Sequence, residues 1–327
     1  MTPVNVIRIV GIALAAALLA SFLAVAEGPA KNSPPDIGLQ GAQWLSPGAD
    51  VLAALTETPG ECLKPAEDAE TAYLMEVGRT AFRSPLLFGG PAARSGLSCN
   101  SCHLDGHDNP EFFVPGLSGA PGTADVTSSL FSKVREDGVH NPLVIPTLVD
   151  AAEKTSFGTA SPQPSIEAFT ESAVEDEFQG APPPPAIIKG VAAYVGHLSA
   201  DACPAAPVRQ SARRAIDDVS RAVAAAKAAL ERGDGPTADF LMVSAQHAAG
   251  LVHDRYSGPK LADERAALVG LSRDLGGARR LAESDPAQGA EALAAVEAAL
   301  PEIAENLHKR RKKSLYDVKT LRRALED

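Results

Sequence analysis

Cys99-Asn100-Ser101-Cys102-His103 is the segment of this 327-residue chain best equipped for chemistry. Two thiols three positions apart can form thioethers to the two vinyl groups of one porphyrin, and the imidazole that follows can hold the iron from below. C-x-x-C-H is the attachment signature of c-type haem. The chain has only four cysteines and two of them sit in this motif, so a chance match is uncommon. Two other chemistries use a similar spacing. A redox C-x-x-C of thioredoxin type needs a strand–helix context, and Ala93-Arg94-Ser95-Gly96-Leu97-Ser98 does not read as a buried strand. A zinc site needs further Cys or His at short spacing, and only His107 lies nearby. The motif thus predicts one covalent haem c, with Cys99 and Cys102 as attachment thiols and His103 as proximal ligand.

The opposite face of such an iron is open in enzymes that bind a small ligand and filled by Met or His in electron carriers. Candidates near in sequence are Met75, His107 and His140. His107 follows His103 by four positions, so its segment would have to turn around the porphyrin edge. Met75 falls on an apolar helical face that reads as core. His140, in the turn-rich Asp137-Gly138-Val139-His140-Asn141-Pro142, is the better placed ligand, against a face left to water.

The remaining cysteines, Cys62 and Cys203, flank the motif widely and predict a disulfide in an oxidising compartment. Closing so long a loop removes on the order of 4–5 kcal/mol of unfolded-chain entropy. The start of the chain agrees with that compartment. Residues 1–26 carry Arg8, an apolar run from Ile9 to Val25 and Ala24-Val25-Ala26, the pattern of a secretory leader cleaved after Ala26. An uncleaved anchor is the alternative, and only through it would the chain touch a membrane. The expected location is the periplasm. Glu27 to Pro204 holds 9 Lys/Arg against 23 Asp/Glu, whereas Ala205 to Asp327 holds 20 against 18. An acidic first region repels nucleic acid and would steer in a basic redox partner protein.

These residues need elements to position them. After the leader, residues 27–48 are rich in Pro, Gly and polar residues and read as a flexible arm, with Trp44, the only tryptophan, able to pin its end. Residues 49–204 read as a haem domain bracketed by helices over 67–82 and 186–198; a resemblance to cytochrome c folds, whose first and last helices cross at a glycine and an aromatic side chain, implies Gly78 beneath Tyr194. From 205 to 327 the texture turns to Ala, Leu, Arg and Glu at helical spacing. Breaks at Gly233-Asp234-Gly235-Pro236, Ser257-Gly258-Pro259 and Ser284-Asp285-Pro286 cut it into four segments of an antiparallel bundle. Pro301 should kink the fourth or start a new one, and His247 reads as a satisfied core histidine. The expected fold class is all-α.

Gly78-Arg79-Thr80-Ala81-Phe82-Arg83-Ser84-Pro85-Leu86-Leu87, followed by Leu97-Ser98 and the motif, resembles bacterial di-haem cytochrome c peroxidases and their relatives. Weaker matches are Ile145-Pro146-Thr147-Leu148, Ser165-Ile166-Glu167-Ala168-Phe169, Glu177-Phe178-Gln179-Gly180 and Val191-Ala192-Ala193-Tyr194-Val195. The resemblance spans about 72–198 and none of the bundle. It implies a cytochrome c-like fold and places Arg79 near a haem propionate. It also has two departures. The family carries two C-x-x-C-H sites and this chain carries one, and the family's aromatic-Asp-Gly element is here Ser156-Phe157-Gly158-Thr159. The expected role is single-electron transfer by a mono-haem c-type cytochrome. The alternatives are a peroxidase-like enzyme acting on hydrogen peroxide at an open face, and a scaffold whose bundle docks a partner.

Overall fold

A computed structural model describes residues 37–326, and the expected leader and the first part of the expected arm lie outside the described residues. Among the described residues the chain is built from eleven α-helices and four two-residue strands, which agrees with the all-α expectation. In chain order these are α1 (Val51–Thr56), β1 (Glu57–Thr58), α2 (Ala69–Arg83), α3 (Gly90–Ser95), α4 (Cys99–Cys102), β2 (Thr123–Ala124) and β3 (Leu143–Val144). They continue with α5 (Ile166–Ser172), α6 (Pro185–Gly196), β4 (Val208–Arg209), α7 (Ala212–Glu231), α8 (Gly235–Asp254), α9 (Ala262–Ser284), α10 (Pro286–Arg310) and α11 (Val318–Glu326). No described helix is long and apolar enough to cross a membrane.

The two bracketing helices cross as α2 and α6, but the close approach is glycine on glycine. A Cβ on Gly78 would sit 1.8 Å from the carbonyl oxygen of Gly190, and one on Gly190 would sit 2.8 Å from the Gly78 nitrogen. The expected partner, Tyr194, instead packs against Phe82 with ring centroids 5.2 Å apart. Tyr194 lies one turn beyond Gly190, and a side chain cannot occupy a crossing where two backbones touch.

The bundle follows its sequence breaks. Asp234 caps α8 through the Thr237 amide, and Asp285 caps α10 through Ala287 and Gln288, each followed by a proline in the first turn. Consecutive helices α7 to α10 pack against each other and α10 closes on α7. Helix α10 runs through Pro301 without a new start. Pro301 is exposed, so water can satisfy the carbonyl that its missing N–H releases. His247 is not satisfied: its buried Nε2 has no hydrogen-bond partner, and burial lowers its pKa.

The boundary at 204/205 joins two regions of one compact unit with a continuous core. Helix α2 lies against α7 and α8, and Ser244 donates to Ser84 across the buried seam at 2.9 Å. Strands β1 and β4 pair antiparallel over the same boundary, Thr58 opposite Val208. The described end of the arm is packed against the rest of the chain rather than extended from it. Leu39, Ala42, Trp44 and Leu45 are buried, Trp44 stacks on Phe112 at 6.4 Å, and Leu39 and Ala42 share a small core with Leu315 and Leu321 at the C-terminal end. These side chains are apolar among the prolines and glycines, so burying them outweighs the freedom of the intervening residues. The predicted disulfide is present, Cys62 to Cys203.

Candidate functional site

Helix α4 is only four residues long, and its start is set by Ser98, whose amide donates to the Ser101 hydroxyl oxygen at 3.1 Å in a reciprocal cap. One turn of helix divides the motif between two faces. Cys99 and Cys102, with His103, line an apolar cavity of about 430 Å³, whereas Asn100 and Ser101 line a separate cavity of about 770 Å³.

The apolar cavity is walled by Phe82, Leu97, Leu117, Phe131, Ile145 and Val191, among others. Phe88 and Phe178, stacked at 4.1 Å, complete the wall. The segment around Pro146, picked out only by resemblance, lies directly against the motif: the Leu148 amide donates to the Gly106 carbonyl at 2.8 Å. The Pro146 carbonyl sits 3.0 Å from His103 Nδ1 and accepts its proton, which leaves the Nε2 lone pair free. Burial lowers the His103 pKa to about 4, so the ring is neutral at pH 7. Burial also raises the Cys99 thiol to about 12 and raises Cys102. Reactive redox cysteines have depressed values and electropositive surroundings. This pair has the opposite setting and stays unbridged.

Polar groups in the cavity are few. Arg135 pairs with Glu177 and donates to Ser172 at 2.7 Å, while its buried Nε has no partner. Glu177 lies at the end of a π-helical turn, Ala173–Glu177, and is 6 % exposed. Burial dominates its titration and, against the opposing pull of Arg135, raises its pKa to about 7. Lys154 and the buried Asp125 also line the wall. Phe157 and Gly158 take up wall positions but bring no carboxylate.

Other expected residues lie elsewhere. Arg79 faces away from this cavity: it is buried in ion pairs with Glu61 at 2.8 Å and Asp218 at 2.7 Å, held there because the bundle supplies Asp218. His140 does not line the cavity. Its side chain is half exposed in a surface turn, 3.7 Å from Asp125, because Asp137 and Asn141 close that turn outside the wall. Met75 is core, and His107 turns to Gly60 and to Cys62 Sγ, 3.1 and 3.2 Å from its Nε2. Neither of them lines the cavity.

Sequence reasoning missed Arg135 and Glu177 as site residues. A signal for Glu177 was present: it follows Thr170 and Val174 at helical spacing on a buried face, where a carboxylate is out of place. Nothing local marks Arg135. No family model matches this chain, and no curated protein or solved structure does.

Proposed function

We propose that the chain is an exported mono-haem c-type cytochrome whose haem exchanges electrons with a basic protein partner. The observation that carries this reading is the convergence of two protonated thiols and a neutral imidazole with a free nitrogen on one apolar cavity. Those groups fit a porphyrin edge and an iron. The orphaned Nε of Arg135 and the Lys154 ammonium fit the two propionates, the role first assigned to Arg79. When bound, the haem supplies one-electron chemistry at a potential set by its axial ligands and burial. The chain supplies covalent attachment at Cys99 and Cys102, the ring orientation of His103 through Pro146, and a water-poor pocket.

One observation favours the second reading, a peroxidase-like enzyme. The residues lining the cavity include no methionine and no histidine other than His103. Glu177, poised near neutrality, can hold or release a proton there. Reducing one hydrogen peroxide to two waters consumes two electrons and two protons, so electrons must also arrive from the partner.

Mass spectrometry of denatured protein from a host that matures c-type cytochromes tests the attachment. A retained haem mass supports it, and colourless protein without that mass defeats it. Optical spectra then separate the readings. Low-spin bands indifferent to cyanide and peroxide mark a carrier, while high-spin ferric bands that shift with peroxide mark the enzyme.

A further inference from the structure

The larger cavity, about 770 Å³, lies within the range of small-molecule sites, roughly 300–1,000 Å³. Both regions build it: Leu39, Trp44 and Leu55 supply an apolar wall from the N-terminal side, and Leu251 and Tyr316 supply another from the bundle side.

The arginines and aspartates at its floor are nearly all matched, in part by Glu61, which lies outside the lining. Glu61 binds Arg79 and Arg83, Asp105 binds Arg83 at 2.8 Å with Arg214 at 3.8 Å, and Asp218 binds Arg79. Arg255 is the exception. It is 8 % exposed and donates only to neutral oxygens, the Leu315 carbonyl at 3.2 Å and Gln210 Oε1 at 2.9 Å, while lying 5.0 Å over the Tyr316 ring. Among the described residues no carboxylate pairs with it, and burial lowers its pKa. A guanidinium held out of water without a counter-ion is costly. The other acids facing the cavity are Asp50, Glu57, Asp108 and Asp254, which are exposed and screened by solvent, and Glu111, which accepts from Ser46 at 2.5 Å.

We infer that this cavity binds a small organic monoanion, a carboxylate on an apolar body, with the carboxylate against Arg255 and the body along the apolar walls. One unmatched cation and an acidic rim suit a single negative charge and disfavour a phosphate dianion. The site is independent of haem, because α4 separates it from the apolar cavity. It also gives the bundle a role, since Gln210, Arg255 and Tyr316 all come from beyond residue 204.

Calorimetric titration of the full chain, as purified, with decanoate tests this. Decanoate should bind saturably, with decanol, acetate and decyl phosphate each about tenfold weaker or more. Arg255→Gln should weaken decanoate by about 10- to 100-fold, and Arg255→Lys should recover part of that. Ala54→Phe, which narrows the cavity from its N-terminal wall and leaves the Arg255 side chain unsubstituted, should weaken decanoate and decanol alike and decides the case if Arg255→Gln does not fold. Haem absorbance should not move during the titration. Equal affinity for decanoate and decanol, tighter binding of decyl phosphate, or binding untouched by both Arg255→Gln and Ala54→Phe would each overturn the inference.

Discussion

On one face of α4, Cys99 and Cys102 look into an apolar cavity where Glu177 is held against one arginine. On the other face, Asn100 and Ser101 look into a larger space floored by Arg79, Arg83 and Arg214 with Asp105 and Asp218, and Glu61 pairs with Arg79 and Arg83 behind it. The two glutamates are moved in opposite directions. Burial would raise Glu61 as well, but Arg83 and Arg79, with hydrogen bonds from Arg79 and Tyr194, outweigh it and hold the carboxyl well below the usual range. Glu177 has a single cation and deeper burial, and its pKa rises to about 7. A carboxylate becomes structural where cations outnumber it locally, and becomes a proton reservoir where desolvation wins.

Removing the proposed attachment thiols breaks the comparison most completely. Cys99→Ser with Cys102→Ser should abolish covalent haem, read as loss of colour and of the haem mass after denaturation, while the Glu61 network on the other face stays intact. Glu61→Gln strikes that second face. It leaves Arg79 and Arg83 short of negative charge and should destabilise the fold by about 3–5 kcal/mol in denaturant unfolding; a cost under 1 kcal/mol would mean the network carries little.

The sign of the pH dependence sharpens the contrast. Glu177 holds its proton more tightly folded, at about 7, than unfolded, at the ordinary value of about 4.3. Its contribution is complete at low pH and is lost as pH rises from about 4.3 through 7, on the order of 3 kcal/mol. Glu61 is the reverse, with stability present above its unfolded value and lost as pH falls below it. Unfolding midpoints of the haem-free chain should therefore lose the decline toward neutral pH in Glu177→Gln and keep the acid sensitivity due to Glu61. If the profile of Glu177→Gln overlays that of the parent, the assignment fails.

Two smaller effects calibrate the frame that carries both cavities. Gly190→Ala places a methyl against Gly78 and Leu74 backbone atoms that cannot yield, and should cost about 1–3 kcal/mol and loosen α2 against α6. Arg213→Ala removes an exposed pair with Glu305, 2.7 Å apart, and should change stability by less than about 1 kcal/mol.

The motif, its disulfide pair and the helix breaks of the bundle were legible because each depends on local spacing: two cysteines one turn apart, Asp-Gly-Pro and Asp-Pro starts, apolar residues every three or four positions. The glycine crossing was half legible. Both glycines stood out, but their partnership depends on the angle between α2 and α6, which no local pattern encodes. Arg79 and His140 were misplaced for one reason. Their destinations depend on groups outside their own segment patterns, the distant Asp218 for Arg79 and the closing of the 125–141 turn for His140. The described arm was misread because prolines and glycines signal looseness only until a distant core claims the apolar side chains between them.

What the sequence determined by itself is the chemistry available at Cys99, Cys102 and His103 and the helical character of the chain, because thiol spacing and apolar period are properties of neighbours along the backbone. Only the tertiary structure decided which charges meet, which glutamate keeps its proton, and that a second cavity stands behind the motif with an arginine lacking a counter-ion. Desolvation and ion pairing act through space at a few ångströms, and residues brought to those distances come from segments far apart in the chain, 139 positions for Arg79 and Asp218.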